Sequence, residues 1–87
     1  MANNDEEVID RYEDLVRFLA SSLLDDDVEI EVRGRSKRDQ WRIELHVPPE
    51  HRGRVIGRGG RIARSMRTLL DKAAIPSHQS VILDIVD

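Results

Sequence analysis

Between His51 and Arg67 the chain carries six arginines and no acidic residue. At the centre of this stretch lies Gly57-Arg58-Gly59-Gly60, a Gly-x-x-Gly turn entered by the apolar pair Val55-Ile56. Glycine lets a backbone approach a ligand closely, and arginine grips phosphate oxygens through paired hydrogen bonds. The turn leads directly into a helical pattern, whose first N–H groups lack internal partners and whose dipole is positive at that end. Backbone N–H groups and guanidinium groups together make a site for phosphate anions. Side chains at 57, 59 and 60 would obstruct a sugar-phosphate chain. Arg54, Arg58, Arg61 and Arg64 supply charge around the turn, and Ile56 and Ile62 offer apolar contact to bases. For Arg67 two readings stand open: a surface pair with Asp71, one turn on, and a share in the basic face around the turn.

Other chemistries find little support. The glycine turn lacks the Gly-Lys-Ser/Thr ending of a P-loop, so nucleotide hydrolysis is not implied. No carboxylate pair or triad stands out, and no enzyme is expected. His46, His51 and His78 lack metal-ligand spacing, there is no cysteine, and Asp25-Asp26-Asp27 reads as a solvated helix end, so neither metal nor cofactor is expected. The polar, acidic N-terminus is unlike a secretory signal, and no apolar run is long enough to span a bilayer, so a cytoplasmic protein without membrane contact is expected.

The net charge of −3 conceals a strong asymmetry: −9 over residues 1–31, +8 over residues 32–72 and −2 over the remainder. Screening at physiological salt acts over about 8 Å, so a basic face functions beside an acidic one. The acidic N-terminal third is expected to cover the sheet away from the groove and to limit non-specific binding.

Positioning the turn requires a scaffold, and 87 residues suffice for one domain with one modest core. Residues 1–6 are expected to fray at its margin. Asn4 and Glu7 suggest a capping box, and Val8, Tyr12, Leu15, Val16, Leu19 and Leu23 recur at helical spacing, predicting a helix from about Asp5 to Leu24. Val28, Ile30 and Val32 alternate with charged residues, as do Trp41, Ile43, Leu45 and Val47, predicting two strands of a hairpin. Gly34 to Asp39 reads as its polar turn, and the basic run Arg33 to Arg38 as a soluble hairpin tip. Pro48-Pro49 ends the second strand. A short helix then spans about Glu50 to Ile56. A second, with Ile62, Met66, Leu69, Leu70 and Ala73 on its apolar face, runs to Pro76. Val81 to Val86 reads as a buried strand. The predicted class is α+β: helix-strand-strand-helix-helix-strand, with three helices on one face of a three-stranded sheet.

Val55-Ile56-Gly57-Arg58-Gly59-Gly60 resembles the signature loop of KH domains, in which a Gly-x-x-Gly turn clamps four backbone nucleotides. The element order resembles the type II arrangement. The longer string from Gly60 to Thr68, with Val47-Pro48-Pro49-Glu50 upstream and Ile85-Val86-Asp87 at the end, is similar to the KhpA family of short bacterial KH proteins. The isoleucine is Ile62, two residues after Gly60, and Ala63 holds the place where many KH domains carry isoleucine; KhpA-like proteins share that spacing. The resemblance implies binding of single-stranded RNA in an aliphatic groove, closed by a loop over about Ala74 to Ser80. It implies an RNA chaperone-like role in post-transcriptional regulation, and pairing as a homodimer or as a heterodimer with a KhpB-like KH protein. The three aromatic residues, Tyr12, Phe18 and Trp41, lie outside the basic segment, which disfavours an aromatic base-stacking platform. Two readings compete: a helix-turn-helix binder of duplex DNA, built from residues 50–73, and an interaction subunit with little RNA binding of its own.

Overall fold

A computed structural model of the chain describes residues 4–37, 40–77 and 80–86, with the side chains of residues 4–6, 37 and 77 left aside. The capping box at Asn4, the hairpin residues Arg38 and Asp39, and His78 in the loop before the last strand lie outside this description. Helix α1 runs over Asn4–Leu23. Tyr12, Val16 and Ala20 form its buried centre, while Val8, Leu15, Leu19 and Leu23 pack half-buried around it.

Strands β1 (Glu31–Lys37) and β2 (Gln40–His46) form the expected antiparallel hairpin. The boundary of β1 differs from the sequence expectation. The residues before it form a turn closed by Val28 N–H on Asp25 O at 3.0 Å, and β1 continues through Gly34 to Lys37. Gly34 is therefore a strand residue, and α1 explains it. A Cβ at 34 would meet Ile9 Cγ1 at 2.6 Å, and Gly34 N–H donates to Glu13 Oε2, also at 2.6 Å. A glycine inside a strand commonly marks such close approach. Arg33 and Arg35 accordingly stand on the strand and not at a hairpin tip.

Pro49 opens a 3-10 turn, Pro49–His51, which passes into α2, Arg52–Ile56. A second 3-10 turn, Arg58–Gly60, leads into α3, Arg61–Ala74, and β3 follows at Ser80–Val86. The sheet order is β1-β2-β3, with β3 parallel to the central β2.

One face of the sheet carries Val32, Trp41, Ile43, Leu45, Val81 and Leu83, all buried under the helices. Tyr12 and Trp41 meet edge to face with ring centroids 6.2 Å apart, so both belong to the core, as expected. The opposite face is polar and laced with ion pairs, among them Arg42–Asp84 at 2.8 Å and Arg33–Glu31 at 2.7 Å. Such exposed pairs contribute at most about 1 kcal/mol each, so burial of the apolar face is what holds the layers together. Two completely buried residues fix the elements flanking the glycine turn: Val55 anchors α2 and Leu70 anchors α3.

Candidate nucleic-acid interface

A helix of five residues is not stable by propensity alone. α2 is held by Val55 beneath it and by Gly57 N–H on Gly53 O at 2.8 Å at its end. The chain then takes three backbone conformations that favour glycine: Gly57 at φ 80° and ψ 170°, Gly59 at φ 64° and ψ 17°, and Gly60 at φ 77° and ψ 14°. Gly60 N–H returns to Gly57 O at 3.1 Å, and Arg61 N–H to Arg58 O. Those two donors stabilise the turn and point inward. No side chain caps the N-terminus of α3.

The glycines divide by role. A Cβ on Gly57 would meet Ile62 Cγ1 at 2.6 Å, so this glycine makes room for Ile62. A Cβ on Gly59 or Gly60 would meet nothing within 4 Å. The space over Gly59 and Gly60 is open, leaving the turn accessible to another chain.

Arg58 projects from the turn and is exposed, as is Arg61. Neither makes an ion pair among the described residues. Arg54 lies with Nη1 3.7 Å from Asp25 Oδ2. Arg64 Nη2 donates to Gly59 O at 3.3 Å, so part of its guanidinium braces the turn. Ile56 and Ile62 are both half-buried against the core.

The residues predicted for the site lie on two flanks of α3. Arg61 and Ile62 face α1, lining an apolar groove of about 320 Å3 with Leu19, Leu23, Met66 and Leu69. Arg64 and Arg67, three residues apart on the helix, face the other side, towards β3. Of the two readings of Arg67, the pair with Asp71 is not formed among the described residues. It donates to Leu83 O from Nε at 3.4 Å and from Nη2 at 3.3 Å. β3 has a partner on one side only, so the Leu83 carbonyl on its open edge offers a partly shielded acceptor that an exposed aspartate does not match. The helical interval from Arg64 to Arg67 is the signal that could have placed Arg67 beside the site.

The acidic segment is also differently placed from the expectation. α1 packs against α2 and α3 as well as the sheet, and Asp25, in the turn just past its C-terminus, stands beside Arg54. Negative charge therefore adjoins the basic turn instead of lying wholly behind it. Among the described residues no cluster of acidic, histidine or cysteine side chains could hold a metal ion, and no helix is long and apolar enough to cross a membrane.

The family model for the KH domain of KhpA/KhpB matches residues 13–85. The RNA-binding protein KhpA of Caldanaerobacter subterraneus is 40% identical over 73 residues, covering 84% of this chain and 97% of that protein. The RNA-binding protein KhpA of Clostridium perfringens is 37% identical with the same coverage. The RNA-binding protein KhpA of Mycobacterium tuberculosis is 39% identical over 84 residues, 92% of this chain and 91% of that one. Among solved structures, Era of Aquifex aeolicus bound to GDP and aluminium fluoride superposes with a TM-score of 0.56 at 12% identity. That match covers 87% of this chain and 29% of the Era chain, and it bears on the fold alone.

Proposed function

Because the chain belongs to the KhpA/KhpB family of KH domains, we propose that it binds single-stranded RNA without catalysis, with the glycine turn as its phosphate clamp. The observation that carries this reading is the open backbone at Gly59 and Gly60 leading into an α3 whose N-terminus no side chain caps. In the proposed complex, N–H groups of the turn and of the first turn of α3 meet phosphate oxygens. Arg58 adds charge at the tip, Arg64 and Arg61 add it on either flank, and Arg54 joins them when a phosphate displaces Asp25. Ile56 and Ile62 give the turn its apolar support and its nearest aliphatic surface for bases. The relatives named RNA-binding proteins support the choice of nucleic acid. Post-transcriptional regulation in the cytoplasm, of RNA chaperone type, is the proposed setting.

Replacing Arg58 and Gly59 together by aspartate tests the clamp. Circular dichroism should remain native while affinity for single-stranded RNA falls by at least ten-fold, since two negative charges then face the phosphates. A folded double variant that binds RNA like the parent would end this reading. A duplex-DNA reading is less well supported, because the five-residue α2 is short for the first helix of a helix-turn-helix.

Pairing, with a second copy or with a KhpB-like KH protein, is proposed to use the Leu69 end of the apolar groove between α1 and α3, leaving Arg61 and Ile62 at the turn to the RNA. Leu69 on its rim is 46% exposed, and Phe18 on α1 is 68% exposed, more apolar surface than a clamp alone requires. Mass in solution should drop to that of one chain in Leu69→Glu if the parent is a homodimer. If the parent is monomeric, its complex with the KhpB-like partner should be lost instead. Pairing unchanged in Leu69→Glu would move the interface elsewhere.

A further inference from the structure

Arg67 donates to one oxygen, Leu83 O, from both Nε and Nη2. That contact occupies the side-on edge of the guanidinium. Its end-on edge, formed by Nη1 and the outer N–H of Nη2, is not engaged by any ion pair among the described residues, and the side chain is exposed. A planar guanidinium held by one edge presents the other as a two-pronged donor of fixed direction.

The place of this donor bears on its target. Arg67 follows Gly60 by seven residues, which at the helical rise sets it roughly 10 Å along α3 from the turn. It lies on the Arg64 flank, beside the open edge of β3. A strand whose phosphates rest on the glycine turn has its bases, not the same phosphates, at that remove. We propose that Arg67, positioned by the Leu83 carbonyl, reads a nucleobase of the bound strand and selects bases with two neighbouring acceptors. Guanine presents them as O6 and N7. Cytosine presents them as O2 and N3. Adenine and uracil alternate acceptor with donor along their exposed edges, so neither fills both prongs. The inference rests on the single-strand binding proposed above.

Fluorescence-anisotropy titrations of the full chain against eight-nucleotide oligouridine with one central substitution test it. The parent should bind the guanine- or the cytosine-substituted strand about ten-fold more tightly than the adenine-substituted strand or oligouridine itself. If guanine is preferred, 7-deazaguanine, which lacks the N7 acceptor, should lose the preference. Arg67→Lys keeps the charge without the planar fork. It should bind oligouridine within about two-fold of the parent and lose the discrimination, and Arg67→Ala should lose it as well. The proposal fails if the parent discriminates no base in this way, if the preference persists in both variants, or if it survives in 7-deazaguanine. A folded parent that binds none of the strands overturns the single-strand reading itself, and this inference with it.

Discussion

Among the glycines of the turn, the same residue type answers two different demands. Gly57 is bound to its place by packing: its φ and ψ lie in a region that glycine favours, and Ile62 occupies the space where a Cβ would go. Gly60 is left-handed but has open space around it. Gly57→Ala should therefore cost about 3 kcal/mol, from backbone strain added to a clash with Ile62. Gly60→Ala should cost only about 1–2 kcal/mol, the ordinary left-handed penalty. Denaturant midpoints at constant m separate the two, and equal losses would mean that Ile62 moves aside without cost. The sequence marks all three glycines alike, because residue type records the need for glycine without its cause. Arg67 illustrates a related limit. Its intrahelical neighbour Asp71 is visible in the sequence, whereas the Leu83 carbonyl becomes a candidate only when β3 is brought alongside α3.

At the scale of elements, both open edges of the sheet carry a charged side chain from a helix. On β1, Glu13 of α1 accepts from Gly34 N–H at 2.6 Å. On β3, Arg67 of α3 donates to Leu83 O. Unpaired edge groups invite strand addition by another chain, and covering them is a known defence. Glu13→Ala removes the acceptor from a partly buried N–H and should cost about 2 kcal/mol, lowering Tm by roughly 10 °C in a domain of this size. An unchanged Tm would mean that water replaces the carboxylate without loss. Helix α1, the hairpin and α3 were legible because their apolar residues recur with clear periods. The start and length of β1 were not, because Gly34 and its polar neighbours carry the composition of a turn. Only the helix crossing at Ile9 and Glu13 makes a strand of them.

For the whole molecule, the distribution of charge matters more than its total of −3. The chain reverses sign between its first third and its middle, and the fold brings the two together where Asp25 faces Arg54 across 3.7 Å. Both side chains are largely exposed, so the pair itself adds little to stability. Its larger effect is competitive, because a phosphate approaching Arg54 must displace or tolerate Asp25. With two or three phosphates held as proposed, the parent should show a slope of log affinity against log salt of about −1.4 to −2.1. Asp25→Asn frees Arg54 for one further phosphate. It should raise affinity several-fold at low salt and steepen the slope by about 0.7, so that the gain in affinity fades as salt rises. Leu24 and Val28 beside the substitution keep their burial, so the thermal melt should stay within a few degrees of the parent. If affinity rises while the slope stays that of the parent, the aspartate acts only through long-range repulsion and Arg54 lies outside the clamp. If both change together, Asp25 in the turn after α1 sets how many phosphates the basic turn can hold.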